Sequence, residues 1–236
     1  MKVISRSLIL WNIILFAVLS IVFFHVSGSH VLNLSAFTFE FYNQAKSLYI
    51  IISVLAGFLF LSAFFVVRSS KLFFALLVLS VSSVVIMQLS DDFSKLILVI
   101  LFVYLVVSYY YYQFLGVEVN QSCYIKNFSD DYLFEPMLHR INVNLEWNEE
   151  SAEGFLTNWD ENSCFVKLNE NKRLPSYVKI KVYINDEVFE DSAKVVSRLG
   201  NGRGYGLKFK YKKSKQAWAE FINYSNEMGY LPEIIQ

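Results

Sequence analysis

Hydrophobic and polar positions follow two different rules along this chain, and the rule changes near Gly116. Before it, apolar residues run almost unbroken through four stretches, near Ser7–Val26, Leu48–Val67, Leu72–Leu89 and Leu96–Leu115. A bilayer core requires about 20 such residues per helix, so the pattern predicts four spanning helices. The first stretch is long and no small-residue cleavage site follows it, so it reads as a retained helix rather than a leader.

From Ile141 the period falls to two. Ile141, Val143, Leu145 and Trp147 alternate with Asn142, Asn144 and Glu146, the pattern of a half-buried strand. "GFLTNW" and "SCFVKL" predict two short strands around a turn at Asp160–Ser163. Val178, Ile180, Val182 and Ile184 predict another, ending in the two-residue turn Asn185-Asp186. A long strand is expected over Glu187–Leu199 and a last one over "YGLKFKY". A closing helix follows, with Ser214 as cap, Trp218, Phe221, Ile222 and Ser225 as its inner stripe, and Gly229 as its stop.

Between the last two strands lies "GNGRGYGLKF". Glycine-rich loops often cradle phosphates, but this spacing is not the dinucleotide fingerprint, no lysine–serine pair follows, and no helix starts there. The glycines are expected to supply positive-φ turn positions, with Gly206 allowing a bulge or a close backbone approach inside a strand. The segments assign 1–116 to a four-span region, 117–138 to a linker and 139–236 to a small antiparallel β-barrel with a C-terminal helix.

Charge adds an orientation. The chain carries 21 basic and 21 acidic residues, so no bulk attraction to nucleic acid is implied. Lys2, Arg6, Arg68 and Lys71 fall on one side of the spans. Basic flanks stay cytoplasmic, which places both termini and the barrel in the cytoplasm. Inside the spans, polar residues are few. Asn12 reads as a helix–helix hydrogen bond, and Ser53, Gly57, Ser62, Ser80, Ser82 and Ser83 as close-packing positions. Cys123 and Cys164 are the only cysteines and lack metal-site spacing, so neither a disulfide nor a metal centre is expected. His139 is the only tail histidine, and no nucleophile–base pair is apparent, so no catalytic residue or cofactor is assigned.

The lysines of "LKFKYKKSK" form one further feature. Lys208, Lys210 and Lys212 share a strand face, and Lys213 and Lys215 extend the patch. They read as a solvated edge or as a contact for anionic lipid or a partner protein.

From about Pro136 to Gly229 the strand order, the glycine hairpin and the last helix resemble a PilZ domain. The strongest local match is "DSAKVVSRLGNGRGYGLKF"; "GFLTNWDENSCFVKL" is similar to the strand–turn–strand carrying that family's ligand motif. The resemblance implies binding of cyclic di-GMP, a bacterial second messenger, through RxxxR before the first strand and (D/N)xSxxG in the next hairpin. Arginines would pair with phosphates and stack on guanines. Here Arg140 fills the second arginine, but Pro136 stands where the first belongs. Asn158 fits the second motif, whereas Asp160 replaces its serine and Ser163 its glycine.

The resulting expectation is an adaptor anchored in a bacterial inner membrane, with a degenerate nucleotide site, acting through contact with a protein partner in an envelope process. One alternative is a cyclic di-GMP receptor using Arg140, Asn158, Asp160 and Ser163 in a modified geometry. The other is a small transporter or membrane-enzyme subunit with a regulatory tail.

Overall fold

The computed structural model describes residues 1–37, 39–91, 93–125, 141–209 and 215–230. The chain divides into two compact units: Arg6–Val119, and Met1–Ser5 with Asn120–Gln236.

The first unit is helical: α1 (Leu8–Val31), the short α2 (Glu40–Gln44), α3 (Lys46–Phe64), α4 (Ser70–Asp91) and α5 (Lys95–Val119). The four long helices are long and apolar enough to cross a membrane. Ser7 caps α1, its side chain accepting from the Leu10 N–H. Aromatic stacking joins the helices: the Phe16 ring lies 5.2 Å from that of Phe74 and 5.5 Å from that of Tyr104. The Tyr104 hydroxyl donates to Ser20 Oγ at 3.1 Å, a polar tie between α5 and α1. Arg6 Nε donates to the Phe64 carbonyl at 2.9 Å and its guanidinium lies over the Phe64 ring, placing a cation at the negative end of α3. Ser53, Gly57 and Ser83 correct one expectation. All three are exposed on this unit, and a Cβ on Gly57 would meet nothing within 4 Å, so none serves helix packing within the unit.

The second unit contains β1 (Lys2–Val3), β2 (Asn142–Trp147), β3 (Glu150–Trp159), β4 (Ser163–Leu168), β5 (Tyr177–Ile184), β6 (Glu187–Arg198), β7 (Gly204–Phe209) and α6 (Lys215–Glu227). The strands run antiparallel in the order β1-β6-β5-β2-β3-β4-β7, and β7 pairs back onto β6. Six strands therefore close a barrel, and β1 lies outside the ring on β6. Alternation fills the interior with Val143, Leu145, Leu156, Cys164, Val166, Ile180, Val182, Val195, Tyr205 and Leu207, all buried.

Local chemistry explains the turns. Asn148 and Glu149 take positive φ in the β2–β3 hairpin, and Asn185 does so in the β5–β6 hairpin. Ile184 pairs with Glu187, so Asn185-Asp186 is the two-residue turn read from the sequence. On the outer face Lys181 Nζ lies 2.7 Å from Glu146 and 3.6 Å from Glu190, which also pairs with Lys179. The hydrogen bond from Lys179 lowers the Glu190 pKa, and the bond to Glu146 raises that of Lys181. Glu146 thus belongs to a cross-strand charge ladder.

The terminal helix covers one end of the barrel. Trp218 and Phe221 are buried, and the Trp218 ring stacks on Phe209 with centroids 4.0 Å apart. Gly229, at φ 76°, ends α6; Tyr230 N–H donates to Ser225 O and Gly229 N–H to Asn226 O, the paired bonds of a Schellman stop.

β6 holds the arrangement together. Its twelve residues pair with β5 over Glu187–Lys194 and with β7 over Ala193–Arg198. A bulge between Val195 and Ser197 takes Val196 out of the β7 register. The freed Val196 carbonyl accepts from Ile4 N–H at 2.8 Å and Ser5 N–H at 3.2 Å. The N-terminal segment therefore completes the β6 edge that β5 leaves open, a pairing the local sequence pattern does not announce.

Candidate functional site

The β3–β4 turn carries the second candidate motif, and its polar atoms converge. Asp160 follows the last residue of β3, and Ser163 opens β4. The Asp160 backbone N–H donates to the Ser163 carbonyl at 2.8 Å. One carboxylate oxygen, Oδ1, accepts the Asn162 N–H at 2.7 Å, the local bond that makes aspartate a turn former. The other, Oδ2, accepts Ser163 Oγ at 2.6 Å and the Ser122 backbone N–H at 2.6 Å. Trp218 Nε1 donates to the Asp160 carbonyl at 3.0 Å, fixing the turn against α6.

What the site holds is the chain itself. Ser122–Tyr124 form one 3₁₀ turn, and all three residues are buried. Cys123 N–H donates to Ser163 Oγ at 3.2 Å, and Asn158 Nδ2 donates to the Ile125 carbonyl at 2.7 Å. From β6, Ser197 Oγ donates to the Cys123 carbonyl. Gly206, between them on β7, has no side chain to obstruct this. A Cβ there would fall on the Cys123 carbonyl and on Ser197 Oγ. Core residues Cys164, Tyr205 and Leu207 point inward, so Ser163, Phe165 and Gly206 point outward. All three are nevertheless buried. The segment Ser122–Ile125 is thus laid along the outer wall where β4, β7 and β6 meet.

Of the sequence-stated residues, the fold brings Asn158, Asp160 and Ser163 into one cradle. Arg140, with Pro136 and His139, lies outside the described residues. Lys208 is half-buried on β7, which pairs with β4 on one side and β6 on the other. That strand has no free edge, so the edge-protection reading of Lys208 is corrected by barrel closure. Lys210, Lys212 and Lys213 lie outside the described residues, and Lys215 opens α6. Sequence reasoning missed Ser122–Ile125 and Ser197, the atoms that approach Gly206. A signal was present: small residues at outward positions of adjacent strands leave a groove that another segment can fill.

The glycine expectation also needs correction. Among the described glycines only Gly202 and Gly229 take positive φ. Gly206 serves the close backbone approach expected of it.

Cys123 and Cys164 form no disulfide and are fully buried. Burial pushes the Cys164 pKa well above the ordinary thiol value, and the Asp160 carboxylate and Cys123 add to it. A thiol held protonated and inaccessible is a poor nucleophile. Alkylation of the native protein is therefore expected to leave both cysteines unmodified while denatured protein takes two labels. Rapid native labelling of Cys164 would contradict its place in the barrel core.

No protein-family model matches the chain, and no curated protein does. Among solved structures it is similar to the PilZ domain of CeSA from a cellulose-synthesizing bacterium. The two share 17% identity, over 38% of this chain and 94% of that chain, with a TM-score of 0.30.

Proposed function

We propose that the chain is a membrane-anchored signalling adaptor of PilZ type whose ligand-facing wall is filled by its own backbone, so that its output runs through protein contact. Its setting is a bacterial inner membrane, with both termini in the cytoplasm. Four apolar helices of 19 to 25 residues support the anchor. Lys2, Arg6, Arg68 and Lys71 support the orientation.

The observation that carries the reading is the use of Asn158, Asp160 and Ser163. These are the positions where the resembled family contacts cyclic di-GMP. Here each binds Ser122, Cys123 or Ile125 instead. A nucleotide would have to displace a buried segment and approach a carboxylate with its own negative phosphates. Replacing an arginine by Pro136 also removes one charge-assisted contact, about 1.5–3 kcal/mol. Together these losses weaken affinity by on the order of 100-fold or more.

Calorimetry on the full chain in detergent tests this. The full chain is needed because β1 pairs with β6 in the barrel unit, and a tail beginning at Asn120 would lack it. Wild type is expected to show no submicromolar binding of cyclic di-GMP. The triple variant Pro136→Arg, Asp160→Ser, Ser163→Gly, checked for retained fold by circular dichroism, is expected to bind more tightly. Submicromolar binding by wild type would overturn the filled-site reading and favour a receptor of modified geometry.

A further inference from the structure

A second concave site lies on the barrel unit and shares no residue with the cradle just described. It is a cavity of about 400 Å³ where β1, the start of β5 and the end of β6 meet. Its formation follows from the strand pairing. β5 leaves β6 after Tyr177↔Lys194, and β1 takes the same edge only at Val3↔Ser197. The gap between them is floored by Val195 and walled by the loop Arg173–Ser176.

The charges in this corner are of one sign. Lys2, Arg173 and Arg198 line it, and no acidic residue does among the described residues. Lys2 and Arg198 are also register partners, directly opposite each other across β1 and β6. Like charges in that relation destabilise a strand pair. The Arg198 side chain is held in place: its guanidinium lies 5.7 Å from the centroid of the buried Tyr205 ring. Gly202, at φ 71°, leaves room beside it, since a Cβ there would sit 2.7 Å from Arg198 Nη2. Yet Arg198 Nε is buried without a hydrogen-bond partner. A buried, unmatched guanidinium donor is costly to leave unmade. Beside the cations the lining is apolar, with Leu174 and Pro175.

We propose that this corner binds a phosphate ester. Its anionic oxygens would lie among the cationic side chains of Lys2, Arg173 and Arg198. Its organic part would rest on Leu174 and Pro175. An anion there relieves the Lys2–Arg198 opposition, so ligand binding and β1 docking reinforce each other. A soluble phosphate and a phospholipid head group present the same chemistry, and the experiment separates them. The inference does not depend on the adaptor reading.

The full chain is placed in nanodiscs of phosphatidylcholine, and its unfolding midpoint is followed during titration with inorganic pyrophosphate. A second arm replaces part of the lipid with phosphatidylglycerol. Wild type is expected to gain several degrees in at least one arm. A gain with pyrophosphate alone assigns a soluble phosphate, with phosphatidylglycerol alone a lipid head group, and with both the shared phosphate chemistry. Arg173→Gln with Arg198→Gln is expected to abolish the gain. Arg203→Gln, an exposed hairpin cation outside the cavity, is expected to keep it. Lys2→Gln is expected to raise the unliganded midpoint and to weaken pyrophosphate about tenfold. If the double variant fails to fold, Arg173→Gln alone carries the test, because that side chain is exposed. No gain in either arm overturns the site. So does an equal gain in the cavity variants, which would mark general stabilisation by phosphate salts.

Discussion

Gly206→Val is expected to destabilise the barrel by about 3 kcal/mol, the upper part of the range for overpacking. For a unit of this size that lowers the unfolding midpoint by on the order of ten degrees or more. The cause is specific. The added Cβ would coincide with the Cys123 carbonyl and Ser197 Oγ, two atoms joined by a hydrogen bond. Backbone cannot move aside as a side-chain end can. The strand must shift against β4 and β6, or Ser122–Ile125 must leave the wall. A second readout distinguishes these. If the segment leaves, Cys123 becomes open to alkylation while Cys164, on the core side, stays protected. Tryptophan fluorescence of the full chain reports the midpoint, because Trp147, Trp159 and Trp218 all lie in this unit. Gly200→Val is the control, since a Cβ at Gly200 would meet nothing within 4 Å. An unchanged midpoint with Cys123 still protected would show that the close approach is not what this glycine serves.

The contrast between Gly206 and its neighbours shows how far the sequence could be read. The four long helices were legible because their length and apolarity alone mark them. β2 and β5 were legible from alternation, and β6 from the turn at Asn185-Asp186 that precedes it. The start of β3 was not, because Glu150 and Glu153 are charged residues on exposed positions and hid the strand behind a loop-like composition. β1 could not be read at all. Two residues carry no period, and their pairing is decided by the β6 bulge almost 200 positions later. The candidate site divides in the same way. Asp160 was legible as a turn former. Its partner Ser122 is 38 positions away, and only the closed barrel brings the two together. Cys123 and Ser197 are 74 positions apart. Local chemistry names the residues that can form a site; the topology decides what fills it.

Asp160→Ala is the sharper test of what fills it. The carboxylate accepts Asn162 N–H, Ser163 Oγ and Ser122 N–H. Alanine leaves those three donors without it. Hydrogen bonds to a charged group contribute about 1.5–3 kcal/mol each, but these share one acceptor and do not add. Asn162 is half-buried at the turn, and water can replace its bond. Ser122 is buried, and its N–H has no comparable substitute. A loss of about 3–4 kcal/mol is therefore expected. Asp160→Asn should recover part of it, because the amide oxygen can take the Oδ2 position toward Ser122 and Ser163 while its nitrogen faces the half-buried Asn162. The effect should also be local. Amide hydrogen exchange is expected to rise first in Ser122–Ile125, while the β5–β6 ladder, which makes no contact with Asp160, keeps its protection until global unfolding. Uniform loss of protection across the barrel would make Asp160 a general stability residue. Unchanged exchange at Ser122–Ile125 would mean that the segment is held by Ser197 and Asn158 without it. The expected outcome leaves the barrel folded with its outer wall uncovered.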